Sequence, residues 1–596
     1  MNELRTLIPY VRPYRRGLAV GLILVVLANA FGILMPKLVG LAVDALERPD
    51  IARSDIVLYA LAVLGAALLS GAARYGMREL LNGISRRVET DLRQRFFEHL
   101  LRLDASFYGA TRTGDLMSRA TNDAQAVRMA AGPAVMYLVN TTAMTALGLA
   151  FMIQIDLRLT GAALVPMLLL PPVALGFGRI IHRRFERIQD HLGQLSTLVQ
   201  ENLSGVRIVR AYVQERQQER EFEKLNSAYL DRNMALARTS GLFHPLLMLL
   251  TGLGMVIVLW FGGRQVIAGH ISVGDFVAFG FYLNMLTWPM ISLGWVINLF
   301  QRGAASMGRM NAIFAIEPRV HSPERPVRLE RVRGEVEFRN VSFRYPGTER
   351  CVLKDVSFHI PAGGTVALVG PTGSGKSTTI ALLARLYDPD EGEILLDGVP
   401  LDRLSLDDVR AAIGMVPQDA FVFSETIAEN IALGLPPGED HESAIREAAA
   451  IAQLDEAIAG FPAGFDTRLG ERGVNLSGGQ RQRTTLARAI ARAPRILVLD
   501  DALSAVDTQT ETRILEGLKR VMADRTAVIV SHRVTAVMAA DIILVLDDGR
   551  IVEQGTHDEL VAREGLYASL LRRQMLEDGL ERNEEGRALA TAPAEG

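Results

Sequence analysis

The sequence predicts two domains of different class in one chain: an all-α membrane domain of six helices, fused to a soluble α/β domain of the P-loop kind. Three observations predict it. The chain has 596 residues, more than one ordinary domain holds. Its apolar fraction is 49%, with a charged fraction of 22% that is ordinary for soluble proteins. The mean hydropathy is +0.19. These values agree only if polarity is unevenly distributed, and it is: the first half carries long uncharged windows, and the second half alternates short β-branched runs with helical stretches.

Six windows in the first half reach spanning length: Gly17–Pro36, Ile56–Ala73, Met129–Ile155, Leu159–Gly178, Thr239–Gly263 and Phe276–Gln301. Each has roughly 18 residues or more, enough at 1.5 Å per residue to cross a bilayer core of about 30 Å. One such window is compatible with a buried helix of a large soluble protein; six in one half are not. The basic stretch Met1–Arg16 before the first window mimics a signal peptide, but Gly17–Pro36 is too long for an h-region, so it reads as a retained first span.

Basic residues give the orientation. Arg5, Arg12, Arg15 and Arg16 precede the first span. Ten arginines, from Arg74 to Arg128, lie between the second and third, and Arg183 to Arg238 lie between the fourth and fifth. The other connections are short or mixed in sign. Both termini and the two long segments are therefore expected on the cytoplasmic side of the plasma membrane. The long segments contain no proline over Arg74–Leu103 and Ile180–Arg238 and are rich in helix formers, so the membrane helices are expected to continue well beyond the bilayer. Breaks are expected at Phe107–Asp123, with Gly109 and Gly114, and at Asn202–Arg210, around Gly205.

The spans hold almost no internal ionisable groups, which disfavours a dedicated site for a strongly charged solute. Trp260, Trp288, Trp295, Phe281 and Met285 are candidates to line an adaptable apolar pocket, although interfacial anchoring accounts for any single one of them. The net charge of −3 leaves no electrostatic footprint for nucleic acid, and the lone Cys351 makes neither an internal disulfide nor a zinc site.

After Arg302 the character changes. Residues 1–310 are expected to form the membrane domain, 311–333 a linker punctuated by Pro318, Pro323 and Pro326, and 334–576 the soluble domain. Residues 577–596, rich in Glu, Arg and Ala without an apolar stripe, are expected to be a disordered tail.

Thr365–Val369 is a β-branched strand run. It feeds Gly370-Pro371-Thr372-Gly373-Ser374-Gly375-Lys376-Ser377 and then a helical stretch from Thr378. This is a P-loop in its required strand–loop–helix setting. The glycines let backbone N–H groups turn toward phosphates, Lys376 suits the β- and γ-phosphates, Ser377 offers an oxygen to Mg²⁺, and the helix N-terminus adds positive potential. A second apolar run, Ile496–Leu499, ends in Asp500. It reads as a buried parallel strand with an acid at its carboxyl edge, where ligands sit in open α/β sheets, and Asp500 is the expected Mg²⁺-organising acid. A third run, Thr526–Val530, ends in Ser531-His532. A histidine at a strand end in such a sheet is a candidate γ-phosphate sensor. Leu476-Ser477-Gly478-Gly479-Gln480 opens a further helix whose N-terminus can bind phosphate.

With that pentapeptide the chain resembles the ABC exporters, over nearly its full length and in the half-transporter order of six spans and then one cassette. The resemblance implies a domain-swapped exporter fold, ATP and Mg²⁺ as ligands, and ATP-driven transport. It implies that Tyr345 stacks on adenine, that Gln418 touches Mg²⁺ and serves catalysis with His532, and that Ser504–Asp507 crosses a dimer interface, Asp507 included in the nucleotide site. It implies that Gly470–Gly473 contacts coupling helices, themselves supplied by Phe107–Asp123 and Glu201–Glu215. In this family each ATP lies between the P-loop of one subunit and the signature, here Ser477, Gly478, Gly479 and Gln480, of another. A second half-transporter is therefore an implied partner.

One position departs from the family. The hydrolytic base is a glutamate directly after the Mg²⁺ aspartate; here it is Asp501. Loss of a methylene draws the carboxylate back by roughly 1–1.5 Å, and a misplacement of that size can cost about 10²-fold. The chain in this respect resembles the degenerate-site subunit of heterodimeric multidrug-resistance exporters. That implies a partner chain carrying the glutamate and a substrate that is a hydrophobic small molecule, lipid or peptide. Two alternatives stand beside it: a homodimeric exporter using two aspartates, and a regulatory or channel-like protein that ATP gates without pumping.

Overall fold

A computed structural model of the chain describes residues 2–48, 51–436, 438, 441–470, 473–531 and 537–576. The chain divides into two compact units, Met1–Leu101 with Thr113–Ile316, and Arg102–Arg112 with Glu317–Gly596.

The first unit is all helix. Its principal elements are α1 (Arg15–Leu46), α2 (Arg53–Arg102), α3 (Thr113–Ile155), α4 (Leu157–Ser204), α5 (Glu215–Ile267) and α6 (Val273–Phe314). All six are long and apolar enough to cross a membrane. They outrun their apolar windows: the 50 residues of α2 span about 75 Å at 1.5 Å per residue. Leu58, Leu61 and Leu68 on α2 stay exposed, as lipid-facing side chains do. Breaks fall where the local chemistry demands them. Asp156 caps the start of α4 by accepting from the Leu159 N–H at 2.6 Å, and Ser272 caps α6 by accepting from the Asp275 N–H at 2.9 Å. Gly205 and Val213–Gln214 bracket a short helix, Val206–Ala211, between α4 and α5.

Small residues set how closely α1 and α2 approach. The antiparallel register brings Gly17 against Ile84, Gly21 against Leu81 and Leu24 against Gly76, and the Ser70 hydroxyl donates to the Ala28 carbonyl at 2.9 Å. Tyr14 continues the same register by donating to Asp91 at 2.9 Å. The uncharged window of α1 thus faces α2 from Ile84 back toward Ser70, whereas hydropathy alone centres the second span on Ile56–Ala73. The interior beyond this seam is closed by Phe279, Tyr282, Leu286 and Met152, all buried. At the other end of α6, Arg309 forks onto the buried carboxylate of Asp123, its Nε donating at 2.9 Å and a terminal nitrogen engaging the second oxygen.

The second unit is α/β. It contains β1 (Val336–Arg344), β2 (Cys351–Ile360), β3 (Thr365–Val369), α7 (Lys376–Leu383), β4 (Glu391–Leu396), β5 (Val399–Pro400), β6 (Ile413–Val416), α8 (Gly478–Ala491), β7 (Ile496–Asp500), α9 (Thr508–Met522), β8 (Thr526–Val530), β9 (Ile542–Asp547) and β10 (Arg550–Gly555). A four-stranded antiparallel sheet runs β2-β1-β4-β5, and a six-stranded sheet runs β10-β9-β3-β8-β7-β6. In the larger sheet β9, β3, β8, β7 and β6 are parallel and β10 is antiparallel at the edge. Strands β7 and β8 are buried at every position, which explains their uninterrupted apolar runs. The predicted fold class, a six-helix membrane domain fused to an α/β P-loop domain, is the observed one.

The Arg309–Asp123 fork yields a stability prediction. Arg309→Ala leaves a buried carboxylate without its cation and is expected to cost about 2 kcal/mol. In detergent-solubilised protein that reads as a melting temperature lowered by about 4 °C. Arg309→Lys is expected to recover less than half, because an ammonium lacks the fork. An unchanged melting temperature in Arg309→Ala would show that the pair carries no structural weight.

Candidate nucleotide site

The parallel register of the large sheet builds the site. Leu368 of β3 pairs with Val530 of β8, and Val530 pairs with Asp500 of β7. The carboxyl ends of three strands therefore lie in one row, and the P-loop leaves from β3, beside β8. Gly370 has φ +151°, and a Cβ there would lie 2.1 Å from the Leu546 carbonyl, so only glycine admits the turn. Gly375, φ +107°, sits at the N-terminus of α7, where a Cβ would meet the Leu353 side chain at 2.5 Å. The loop is thereby pressed onto the sheet with its N–H groups gathered at a helix start, a cradle suited to phosphate oxygens.

A cavity of about 350 Å³ opens there. It is lined by Tyr345, Thr372, Gly373, Gly375, Lys376, Ser377, Thr378, Gln418, Asp500 and Asp501, and also by Arg350, Val352 and Val530. Lys376 is buried, and its ammonium donates to the carbonyls of Gly370 at 2.8 Å and Pro371 at 2.9 Å. Burial pushes its pKa down, and the carboxylates of Asp500 and Asp501 oppose that shift. The Ser377 hydroxyl donates to Asp500 at 3.3 Å, so the pair of oxygens that would share a magnesium ion is already together. The Tyr345 hydroxyl is 3.0 Å from Thr378 Oγ1, and its ring meets Tyr387 edge-on at 5.3 Å. Asp501 holds the left-handed backbone, φ +47°, pinned by its N–H to the Val530 carbonyl at 2.8 Å. Ser374 is buried beneath the loop.

The pentapeptide stands elsewhere in the same unit. Ser477 caps α8 through a reciprocal box: its hydroxyl accepts from the Gln480 N–H at 3.2 Å, and the Gln480 side chain accepts from the Ser477 N–H at 2.9 Å. Gly478 and Gly479 approach Ala505, where a Cβ on Gly479 would lie 2.7 Å from the Ala505 carbonyl. None of Ser477, Gly478, Gly479 and Gln480 lines the P-loop cavity. Asp507 caps α9, accepting from the Thr510 N–H at 2.9 Å, and that bond holds its carboxyl below the usual range. It also lies off the cavity wall. His532 falls outside the described residues, as do Glu471 and Arg472 of the Gly470–Gly473 segment.

Two residues that the motifs did not single out take part. The buried Gln482 donates to Ser504 Oγ at 2.8 Å and accepts from the Ala505 N–H at 2.8 Å, tying α8 to the Ser504–Asp507 loop. In the sequence it is one polar residue among Gln480-Arg481-Gln482-Arg483 and carries no signal of its own. Arg350 stands on the cavity rim; being five residues after Tyr345 in a polar turn, it carries no sequence signal of its own.

Comparison with known proteins gives the family. The family model described as "ABC transporter transmembrane region" matches residues 18–290, and that described as "ABC transporter" matches residues 353–504. The chain is 38% identical over 573 residues to the probable multidrug resistance ABC transporter ATP-binding/permease protein YheI of Bacillus subtilis, covering 95% of this chain and 97% of that protein. It is 35% identical over 585 residues to the ATP-dependent lipid A-core flippase of Syntrophus aciditrophicus, covering 97% and 95%. The structure of a bacterial Atm1-family ABC exporter with ATP bound superposes with a TM-score of 0.76 at 30% identity, covering 94% of this chain and 99% of that one. The chain belongs to the ABC exporter family: it is a multi-pass membrane protein whose α/β domain is an ABC-type transport ATPase.

Proposed function

We propose that this chain is one subunit of a heterodimeric exporter that couples ATP binding and hydrolysis to outward movement of hydrophobic or amphipathic substrates, and that the site on its own P-loop turns over slowly. One observation carries the reading: the cavity gathers the P-loop, Asp500 and Asp501, but no residue of the Ser477–Gln480 signature. An ATP bound there needs the signature of a second chain to close over it. The relatives named for multidrug resistance and for lipid A-core flipping support a substrate with an apolar body.

In this reading residues 1–310 carry transport, 311–333 link, and 334–576 bind nucleotide, with 577–596 a tail. Tyr345 stacks on adenine. The N–H groups of Gly370–Ser377, with Thr372 and Thr378 beside them, cradle the phosphates, and Lys376 leaves its carbonyl partners for the β- and γ-phosphates. Ser377, Gln418 and Asp500 hold Mg²⁺, which when bound neutralises phosphate charge. Asp501 and Gln418 orient the attacking water, and His532 contacts the γ-phosphate. Ser477, with the N–H groups of Gly478 and Gly479, completes the partner's site, and Gln480 and Asp507 support that face. Exposed Ile208, Tyr212 and Val213 form an apolar face suited to transmitting cassette closure through a coupling helix. The termini are cytoplasmic, on the side of the arginine-rich segments. Accumulation of substrate in sealed vesicles, driven by ATP, separates this reading from an ATP-gated channel.

Three tests follow from the site. Lys376→Ala removes the ammonium that serves the β- and γ-phosphates. Photolabelling of this chain by azido-ATP is expected to be abolished, and labelling equal to wild type would contradict the P-loop assignment. Asp501→Asn and Ser477→Arg should part company in steady-state phosphate release. The first is expected to lower turnover only modestly, since little flux passes through the aspartate site, and the second severely, since a bulky cation fills the partner's γ-phosphate contact. Elimination of turnover by Asp501→Asn would make Asp501 a working base. For topology, Arg207→Cys is expected to resist a membrane-impermeant thiol reagent applied outside intact cells; labelling from outside would overturn the orientation.

A further inference from the structure

The register of α1 and α2 puts an arginine where the hydropathy windows place none. Arg15 and Arg16 precede the uncharged window Gly17–Pro36, which has the length to cross a bilayer core of about 30 Å. Since Gly17 lies against Ile84, these arginines stand level with Arg86 and Arg87 of α2. The four form a basic ring, the usual mark of a cytoplasmic membrane boundary. Arg74 is on the same helix, about 18 Å from Arg86 at 1.5 Å per residue, on the bilayer side of that ring.

Arg74 is exposed, and it makes no hydrogen bond or ion pair with any described residue. Glu79, the acid that follows on α2, is five residues on and so off the faces that neighbour Arg74 at three or four residues. The Arg74 guanidinium lies over Gly32 of α1: a Cβ at Gly32 would stand 3.6 Å from a terminal nitrogen of Arg74 and 3.6 Å from the Ser70 hydroxyl. One turn away, a Cβ at Gly71 would meet no atom within 4 Å. There is thus open space beside a cation that no described residue of this chain neutralises, at a level of α2 that faces the uncharged window of α1. Such a charge is costly and is retained where an anion compensates it.

We propose that Arg74 is the anion site of the membrane domain and that it pairs with the oxyanion head group, phosphate or carboxylate, of an acidic amphipath entering from the leaflet on the Arg15 side. The inference rests on the exporter reading and sharpens its substrate class: an apolar body with one acidic head. The planar guanidinium matches an oxyanion through two parallel N–H donors, Gly32 lets it lie close against α1, and Gly71 leaves the space that the head group fills.

The test is native mass spectrometry of the detergent-purified full-length complex with phosphatidic acid, oleate and phosphatidylcholine as probes. Wild type is expected to retain phosphatidic acid or oleate over phosphatidylcholine by about tenfold, the worth of one charge-assisted pair. Arg74→Ala is expected to lose that preference, Arg74→Lys to keep part of it, and Arg86→Ala, which removes a charge from the ring, to keep it. Retention of both acidic lipids assigns a general oxyanion site, and of phosphatidic acid alone a phosphomonoester site. No preference in wild type, an undiminished preference in Arg74→Ala, or displacement of the lipid by inorganic phosphate alone overturns the proposal. Azido-ATP labelling of Arg74→Ala at wild-type level shows that the variant is folded. ATP-driven transport that persists with an undiminished lipid preference in Arg74→Ala would sink the anion site and leave the exporter reading standing.

Discussion

The parallel pairing of β3, β8 and β7 is the constraint on which the nucleotide-binding unit depends. Because Leu368, Val530 and Asp500 share one row, the strand that launches the P-loop and the strand that presents the acid end at the same height. The Ser377 hydroxyl reaches Asp500 only because α7 starts directly over that row. A slip of one residue in β7 would turn Asp500 to the other face of the sheet. The burial of every residue of β7 and β8 makes such a slip costly, so the same apolar runs that form the core also fix the chemistry.

The membrane unit answers a different constraint. Without water, helices gain little from burying apolar surface against one another, so close approach through small residues takes over. Gly17, Gly21 and Gly76 bring α1 and α2 together, and the Ser70 hydroxyl satisfies itself on the Ala28 carbonyl across the seam. Toward the C-terminal end of α1, Lys37 pairs with Asp275 at 3.0 Å, and Asp44 accepts from the Ser272 hydroxyl at 2.7 Å and the Gly274 N–H at 2.6 Å. Lys37, Asp44 and Asp275 are thus partnered, whereas no described residue pairs with the guanidinium of Arg74.

Much of this was legible in the sequence, and the failures have physical causes. The fold class followed from uninterrupted apolar runs and from a P-loop in its strand–loop–helix setting, since each signal is local. Asp500 was legible because a carboxylate ending a fully apolar strand has few other uses. The long continuation of α2 beyond its apolar window was legible from helix formers without proline. What was not legible is relational. Hydropathy reports how apolar a segment is, not which residues of a neighbouring helix stand level with it, so the approach of Arg74 and Ser70 to Gly32 had no signal. Gln482 likewise looked like one more polar residue in a polar helix start, and only its bonds to Ser504 and Ala505 distinguish it. The left-handed backbone at Asp501, set by the Val530 carbonyl, also has no signature in composition.

The central claim is that catalytic competence is shared between two different chains. In this reading Asp501, which follows Asp500 on the cavity wall, takes the position of the hydrolytic base, and α8 begins with a Leu476–Gln480 signature that lies off its own P-loop cavity. On this account the chain lends its signature to a partner's site while its own site lags. The most direct measurement is the composition of the complex purified from native membranes through a tag on this chain. The account predicts a second, different half-transporter in one-to-one ratio, with glutamate at the position corresponding to Asp501. A complex containing two copies of this chain and no other, hydrolysing ATP at full rate, would contradict it.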